Sequence, residues 1–406
     1  MPRDALASAI DRVVTNQNCT GCGACAMVNE RVDMVLDVDG YMRPFLVGEP
    51  KASRVETNAF NHYCPGVGLR AADTSGRQMH ALLGPYVSVW EGHAADPEIR
   101  AAGSSAGALT AITDWLIATG RASRVAAAGA DSPNPRRTVP VTIQTRQDAL
   151  KSAGSRYAPV ATLCNVDARV DAIVAKPCEI SAVSRATTGR GERPVFLSFF
   201  CAGTPSQLAT DRLVRILGAD PESLGELRYR GRGWPGLFYA RDRAGNEGSS
   251  SYEDSWGKHL GRDLQWRCKL CPDGTGWDAD IAVGDFWETD ERGFPLFEEA
   301  AGSCVIIART VRGHELLMQA RRDGALIARP VSPDGVARVQ PLQVERRHAL
   351  LGRLAGRLLA GKVIPKYRGY GLLKLSLGQP VTAFRGMAGT FRRTAPKLRT
   401  RKNGIR

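Results

Sequence analysis

Cys19-Thr20-Gly21-Cys22-Gly23-Ala24-Cys25 sets three cysteines at two-residue intervals, and Cys64-Pro65 follows at a distance. This is the ligand run of a bacterial-type [4Fe-4S] site, in which three thiolates converge on three irons of one cube. The small residues Gly21, Gly23 and Ala24 leave room for backbone N–H groups to approach the sulfurs. Ferredoxins that hold two clusters place a fourth cysteine four positions on, for the other cluster. Here that position is Asn29. The run therefore needs one ligand from elsewhere, and Cys64 fits that role. A structural zinc site, the competing reading, usually pairs two separated Cys/His couples and matches a triple run poorly.

Six further cysteines bring the total to ten. Cys268 and Cys271 form a second close pair. Cys178 and Cys201 each follow an apolar run that reads as a buried strand, at 170–175 and 195–200. Cysteines at the ends of adjacent parallel strands point into a common crevice, and with the 268/271 pair they make a second set of four. A disulfide framework is the other use of so many cysteines, but it suits short secreted chains. This chain has 406 residues, and residues 1–8 lack the apolar core of a secretory leader. Reduced thiols point to the cytoplasm. Cys164 and Cys304 lie beside apolar segments and read as ordinary buried thiols.

Around these cysteines the chain must build elements that hold them. Its length suits two or three domains. The expected divisions are 1–75, a ferredoxin-like iron–sulfur segment; 80–160, the first part of a core; 161–335, its second part; and 336–406, a basic tail. A hairpin is expected over 32–41, turning at Asp39-Gly40. A helix is expected over 104–118, with strands at 87–90, 125–128, 170–175, 195–200 and 281–283. Apolar strands alternating with helical stretches give a mixed α/β core. The stretch 228–256, rich in Gly, Ser and aromatics, reads as loops with short strands. No uninterrupted apolar stretch approaches the roughly 20 residues that span a bilayer.

The net charge of +14 is unevenly placed. Residues 345–406 hold 16 of the 55 basic residues and 1 of the 41 acidic ones, so the remainder is nearly neutral. Leu350, Leu351, Leu354, Leu358 and Leu359 line one side of an amphipathic helix, which Pro365 should end. The last residues, 392–406, read as a disordered basic end. Few aromatics interleave with the charge, which argues against nucleic acid. A peripheral contact with an anionic membrane or an acidic partner suits it better.

Three further places carry chemistry. Ser104-Ser105-Ala106-Gly107 opens the expected helix, where small residues and unsatisfied N–H groups suit a phosphate or the pyrimidine edge of a flavin; a Ser-capped helix start is the plainer reading. Lys151, Gly154, Ser155, Arg156 and Tyr157 pair cations and hydroxyls in a glycine turn suited to an acidic ligand, or form a solvated basic loop. Gly284-Asp285 lies just past a strand, where open α/β sheets place their ligand crevice, although Asp285 could simply cap a turn. No Rossmann glycine pattern or Walker lysine motif is present.

Taken jointly, these pieces resemble the coenzyme F420 hydrogenase/dehydrogenase beta-subunit family of iron–sulfur flavoproteins, over roughly 15–310. The resemblance is carried by Cys19/Cys22/Cys25, Ser104 to Gly107, Gly154 to Tyr157, Lys176-Pro177-Cys178-Glu179, Cys201 to Pro205, Arg267-Cys268-x-x-Cys271 and Ala279 to Trp287. It implies bound FAD, in a pocket built partly from the Ser105 turn and the Gly154–Tyr157 loop, and a [4Fe-4S] cluster on Cys178, Cys201, Cys268 and Cys271. Cys19, Cys22, Cys25 and Cys64 would hold a second, ferredoxin-like cluster. The family commonly has Ser-Gly-Gly where this chain has Ser105-Ala106-Gly107, so a methyl group stands at that contact. The implied activity is an oxidoreductase linking an external one-electron carrier such as ferredoxin, or a redox partner subunit, to a small organic substrate. Coenzyme F420 is one candidate, with Arg156, Lys151 or Lys176 meeting its acidic tail. A non-catalytic electron-transfer subunit is the alternative.

Overall fold

A computed structural model describes residues 4–48, 52–71, 75–167, 169–189, 192–290, 296 and 298–395. Its centre is an eight-stranded mixed sheet. In spatial order the strands are Leu326–Pro330, Ser88–Ala94, Cys304–Ala308, Ile281–Asp285, Val195–Phe199, Ala172–Ala175, Val125–Ala130 and Thr138–Ile143. The four from Ile281–Asp285 to Val125–Ala130 run parallel, and every other pairing is antiparallel. Segments 80–160 and 161–335 thus contribute strands to one sheet.

Period-two alternation explains why the central strands read as continuous apolar runs: both faces are covered. Val195, Leu197, Ile281 and Val283 face a layer containing Ile112, Trp115 and Leu116 of helix Ala108–Ala118. Ile173 and Phe196 face the other way, onto Ile180 and Val183 of helix Pro177–Thr187, together with Cys22 and Ala24. The cysteine run is therefore packed directly against one face of the sheet.

The N-terminal segment has a small core of its own. Helices Ala5–Thr15 and Arg54–Tyr63 and the hairpin Val32–Leu36/Met42–Leu46 gather Leu6, Ile10, Val13 and Phe60 around Cys19 and Cys25. The stretch 228–256 forms a three-stranded antiparallel sheet with Leu224–Arg228.

Several boundaries differ from expectation. The helix expected from Ser104 begins at Ala108, because Ala106 and Gly107 take left-handed backbone angles (φ 48° and 71°) that an α-helix excludes. The strand expected at 170–175 is Ala172–Ala175. The C-terminal amphipathic helix starts earlier, at Pro341, and ends at Leu359, before Gly361 (φ 75°) rather than at Pro365. Residues 392–394 are helical, not disordered, and 396–406 lie outside the described residues. Helices Pro341–Leu359 and Pro380–Thr394 pack backbone to backbone. A Cβ on Gly352 would sit 1.9 Å from the Ala383 carbonyl oxygen, and one on Gly356 would sit 2.4 Å from that of Met387. Cys304 is buried as expected, but Cys164 is exposed.

Asp280 anchors the start of the strand Ile281–Asp285. Its carboxylate accepts from Arg193 (2.8 Å twice), Phe196 N (2.9 Å) and Thr310 Oγ1 (2.7 Å). Burial opposes its ionisation, but these donors outweigh burial and hold its pKa below the usual carboxylate value. A depressed folded pKa gives stability that is present above the unfolded value and lost as pH falls through the folded one. Asp280→Asn should cost about 1–3 kcal/mol at neutral pH. It should also flatten the loss of stability below about pH 4, where an ordinary aspartate gains its proton. Denaturant melts at pH 7 and pH 3 check both; equal acid sensitivity in the two proteins would refute this role.

Candidate functional site: two cysteine quartets and a cavity

The first quartet forms where helix Ala5–Thr15 gives way to the loop 19–25. Gly21 and Gly23 have φ of 73° and 85°, and each turns the chain where a side chain has no room. A Cβ on Gly21 would lie 2.9 Å from Met42 O, and one on Gly23 would lie 2.7 Å from Cys164 Sγ. Cys64 caps helix Arg54–Tyr63 and brings its thiol back to the loop. Burial raises the Cys22 thiol to about 11 and Cys64 to about 12, with neighbouring cysteines adding to both. Cys25 is pushed up by burial and then by Cys22, Cys19 and Cys64. Cys22, Cys25 and Cys64, whose thiolates burial and neighbouring cysteines disfavour, form with Cys19 a donor set suited to a bound cationic group, which would stabilise the thiolates.

The second quartet collects at the carboxyl ends of two adjacent parallel strands. Cys178 lies in the first turn of helix Pro177–Thr187, just after strand Ala172–Ala175. Cys201 follows strand Val195–Phe199, and Cys268 and Cys271 flank the end of the short helix Trp266–Lys269. Cys201 is raised to about 12 by burial and by Cys268 and Cys271, with Arg346 and Lys176 opposing. Burial also raises Cys271, against Arg267 and Arg346. Thr204 N–H donates to Cys268 Sγ (3.3 Å). Arg346 donates to the carbonyls of Cys201 (2.9 Å) and Ala202 (2.5 Å), pinning the loop that carries Cys201.

The two quartets are neighbours. Cys22 adds to the upward push that burial gives the Cys178 thiol, and Gln265 Nε2 reaches both Thr20 O (2.9 Å) and Cys268 Sγ (3.5 Å). Arg267, beside the second quartet, donates to Pro65 O next to Cys64 (3.0 Å). Among the described residues, no three His, Cys, Asp or Glu side chains gather around one point as ligands of a single ion. A cube differs from such a site in presenting four separate irons to its thiolates.

A cavity of about 760 Å³ opens at the carboxyl ends of the parallel strands. This is within the roughly 300–1,000 Å³ range of small-molecule and cofactor sites. Ser104, Ser105, Gly107, Gly154 to Tyr157, Lys176, Gly284 and Asp285 line it, and so does Cys201. Ser105 Oγ donates to Asp285 Oδ1 (2.8 Å), and Ser104 Oγ meets Ser155 Oγ (2.5 Å). A Cβ on Gly107 would lie 2.5 Å from Ile99 O, and one on Gly154 would lie 2.9 Å from Arg230 O. Both turns press backbone toward the cavity as only glycine allows. Ala106 is buried behind the turn rather than in the lining.

Three expected contributors behave differently from the rest. Lys151 ends the helix Arg146–Lys151 and does not line the cavity. Arg156 lines it, but its guanidinium donates to Thr138 Oγ1 (2.8 Å) and to Pro135 O (2.7 Å). Lys176 Nζ is held by Val160 O and Glu179 Oε1, both at 2.9 Å. Burial opposes the Lys176 charge, but Glu179, then Cys178, outweigh it and keep its pKa above the ordinary lysine value.

The sequence reading missed Arg230. This buried side chain donates to Asp285 Oδ2 (2.8 Å), Ser104 O (2.8 Å) and Pro235 O (2.7 Å). Its guanidinium lies over Trp234, Tyr252 and Trp287 at 4.6–5.5 Å. Burial works against its charge, but Asp285, Tyr157 and Tyr252 together outweigh burial and hold its pKa above the ordinary arginine value. Tyr252 stacks on Trp287 (5.6 Å, 26°), and Tyr157 meets Trp256 (5.0 Å), giving the cavity an aromatic wall. The only signal for these residues was the aromatic and glycine richness of 228–256. Gln340 was missed as well; its side chain donates to Asp285 O (2.6 Å) from the C-terminal segment. A flat conjugated ring with a polar edge fits a space bounded by aromatic faces, hydroxyls and glycine turns.

Comparison with known proteins gives consistent results. The family described as coenzyme F420 hydrogenase/dehydrogenase, beta subunit N-term, matches residues 89–166, and its C-terminus counterpart matches 169–334. The beta subunit of F420-dependent formate dehydrogenase 1 from Methanococcus maripaludis is 24% identical over 255 residues, covering 60% of this chain. The match spans 62% of that relative's length. A chain of the F420-reducing [NiFe] hydrogenase complex from Methanosarcina barkeri superposes with a TM-score of 0.49 at 21% identity, covering 67% of this chain and 95% of that one. With both halves of the family pattern in order across well over half of its length, the chain belongs to the coenzyme F420 hydrogenase/dehydrogenase beta-subunit family.

Proposed function

We propose that the protein is an iron–sulfur flavoprotein oxidoreductase with two [4Fe-4S] clusters and one FAD. It would pass electrons between the clusters and the flavin, and between the flavin and a small organic hydride donor or acceptor such as coenzyme F420. The observation that carries this reading is Cys201, which belongs to the second quartet and also lines the cavity. When bound, FAD supplies two-electron hydride exchange on one side and single-electron exchange on the other.

Each residue has a definite part in this reading. Ser104, Ser105, Gly154 and Ser155 offer hydroxyl and backbone groups to the polar edge of the cofactor. Asp285 holds Ser105 and Arg230 in place, and the Tyr252/Trp287 stack lines the cavity and would help exclude water from a bound flavin. Lys176, fixed by Glu179, lines the cavity and sets a positive charge near Cys178, which favours electron density arriving there. Arg267 and Arg346 do the same for the thiolates of the second quartet, and the first quartet would connect the site to an outside one-electron carrier.

A second reading has one observation in its favour: the formate dehydrogenase relative is by name a beta subunit. On that reading the chain relays electrons to a catalytic partner and is inactive alone. Anaerobic assay of the purified chain with reduced coenzyme F420 and an artificial one-electron acceptor separates the two. Turnover supports the first, and turnover only on adding a partner supports the second.

Anaerobic purification should give about eight irons, eight sulfides and one FAD per chain, two four-iron clusters being required. Zinc without sulfide or flavin would overturn the proposal. Cys64→Ala and Cys271→Ala should each lose about four irons, as removal of one thiolate of a cube predicts. Only the second should disturb flavin reduction. Asp285→Asn should weaken FAD binding at least about tenfold, since it strips the counter-charge from buried Arg230. Ser105→Ala should cost only about 1 kcal/mol, one neutral hydrogen bond. Flavin fluorescence titration of the deflavinated protein reads both, and equal effects would refute the assigned roles.

A further inference from the structure

Helices Leu372–Gly378 and Pro380–Thr394 leave one face uncovered by the rest of the described chain. The glycine packing of Gly352 and Gly356 against Ala383 and Met387 fixes which face that is, because the second helix cannot rotate without backbone collision. Leu373, Leu377, Val381 and Phe384 stand 61–70% exposed, and Phe391 continues the stripe two turns on. Positions 381, 384 and 391 share one side of a helix. Lys374, Arg385 and Arg392 are exposed beside them. No acidic residue occurs anywhere in 346–406.

We propose that this two-helix face is a docking surface for an anionic phospholipid membrane, with the apolar ridge entering the acyl boundary and the flanking cations meeting the headgroups. The charge pattern favours this occupant over a second copy of the chain, since two such faces would bring like charges together. Residues 396–406 add five more basic residues and no acid. Protruding side chains such as Leu377 and Phe384 suit a fluid apolar boundary, which accepts them without a shaped hole. Among the described residues no helix is long and apolar enough to cross a membrane, so the contact would lie on the surface. The inference is independent of which cofactors the core holds.

The test is cosedimentation of the intact protein with phosphatidylcholine vesicles, plain or carrying about 30% phosphatidylglycerol, enough to give a negative surface potential. Binding should require the anionic lipid and fall at least about tenfold between 0.1 and 0.5 M salt, as screening demands. The double variants Val381→Ser/Phe384→Ser and Arg385→Ser/Arg392→Ser should each weaken binding by at least about tenfold, because both burial and charge contribute. Iron, flavin and thermal stability should be unchanged in both, because all four side chains are exposed. Absence of binding to anionic vesicles would overturn the proposal. So would binding that both double variants retain but that truncation after Ala395 abolishes, which would leave only the charge of the chain end. Recovery of an acidic protein partner by a variant-sensitive contact, without vesicle binding, would overturn it in favour of a protein interface.

Discussion

The Arg230–Asp285 pair is the constraint on which the cavity depends. A guanidinium without solvent must find partners for its donors, and Arg230 finds them in its own loop, at Pro235, and on two segments distant in sequence. Asp285 ends a central strand, Ser104 opens the turn before helix Ala108–Ala118, and Pro235 belongs to the loop between the first two strands of the three-stranded sheet. Because one charge holds all three, the turn, the strand end and the aromatic wall are set relative to one another. Removing either partner would leave a buried uncompensated charge, a loss of roughly 3–5 kcal/mol. The pair also frees the hydroxyl of Ser105 from choosing between geometries: Asp285 spends one oxygen on it and the other on Arg230.

A similar logic governs the basic C-terminal segment. Its excess of arginine gives the chain a high isoelectric point, yet several of these arginines are interior. Arg347 donates to the carbonyls of Pro272 (2.8 Å) and Tyr370 (2.6 Å), and Arg357 donates to Asn16 O (2.6 Å) and lies over Trp266. Together with Arg346 on Cys201 and Ala202, they tie helix Pro341–Leu359 to the loops that present both quartets. Cations buried among carbonyls and thiols contribute positive potential where thiolates would need it. The segment therefore acts partly as a clamp, and only the outer helices keep their charge for solvent or a surface.

Much of the sheet was legible in the sequence because buried parallel strands leave a strong mark: 195–200 and 281–283 are apolar on both faces, and the strands form there. The cysteine run was legible because its spacing is local. Arg230 and the aromatic wall were not: Arg230 takes its meaning from Asp285 and Ser104, 55 and 126 positions away, and the wall is assembled from separate segments of the chain. The helix start at 104 was misread for a different reason. Serines before an apolar periodic run look like an N-cap, but the left-handed angles at Ala106 and Gly107 are tertiary in origin: Gly107 sits against Ile99 O with no space for a Cβ. Ala106 is buried and does not line the cavity. The interior arginines of the basic segment were not legible because counting charge does not distinguish a solvated arginine from one donating to buried carbonyls.

The adjacency of the two quartets follows from sheet geometry rather than from any feature of the cysteines themselves. Phe196 and Ile173 point to the face that receives Cys22 and Ala24, so the N-terminal loop must lie on the layer formed by helix Pro177–Thr187. That helix begins at the carboxyl end of its strand, and Cys178 is in its first turn. The loop that carries Cys22 is thus delivered to Cys178 by the same apolar packing that stabilises the sheet. Gln265 and Arg267 then fix the spacing, one bridging Thr20 O to Cys268 Sγ and the other reaching Pro65 O. A change in this packing layer would shift one quartet against the other while leaving every cysteine in place. The path between the quartets is therefore set by the hydrophobic contacts of Phe196 and Ile173 as much as by the thiols that would end it.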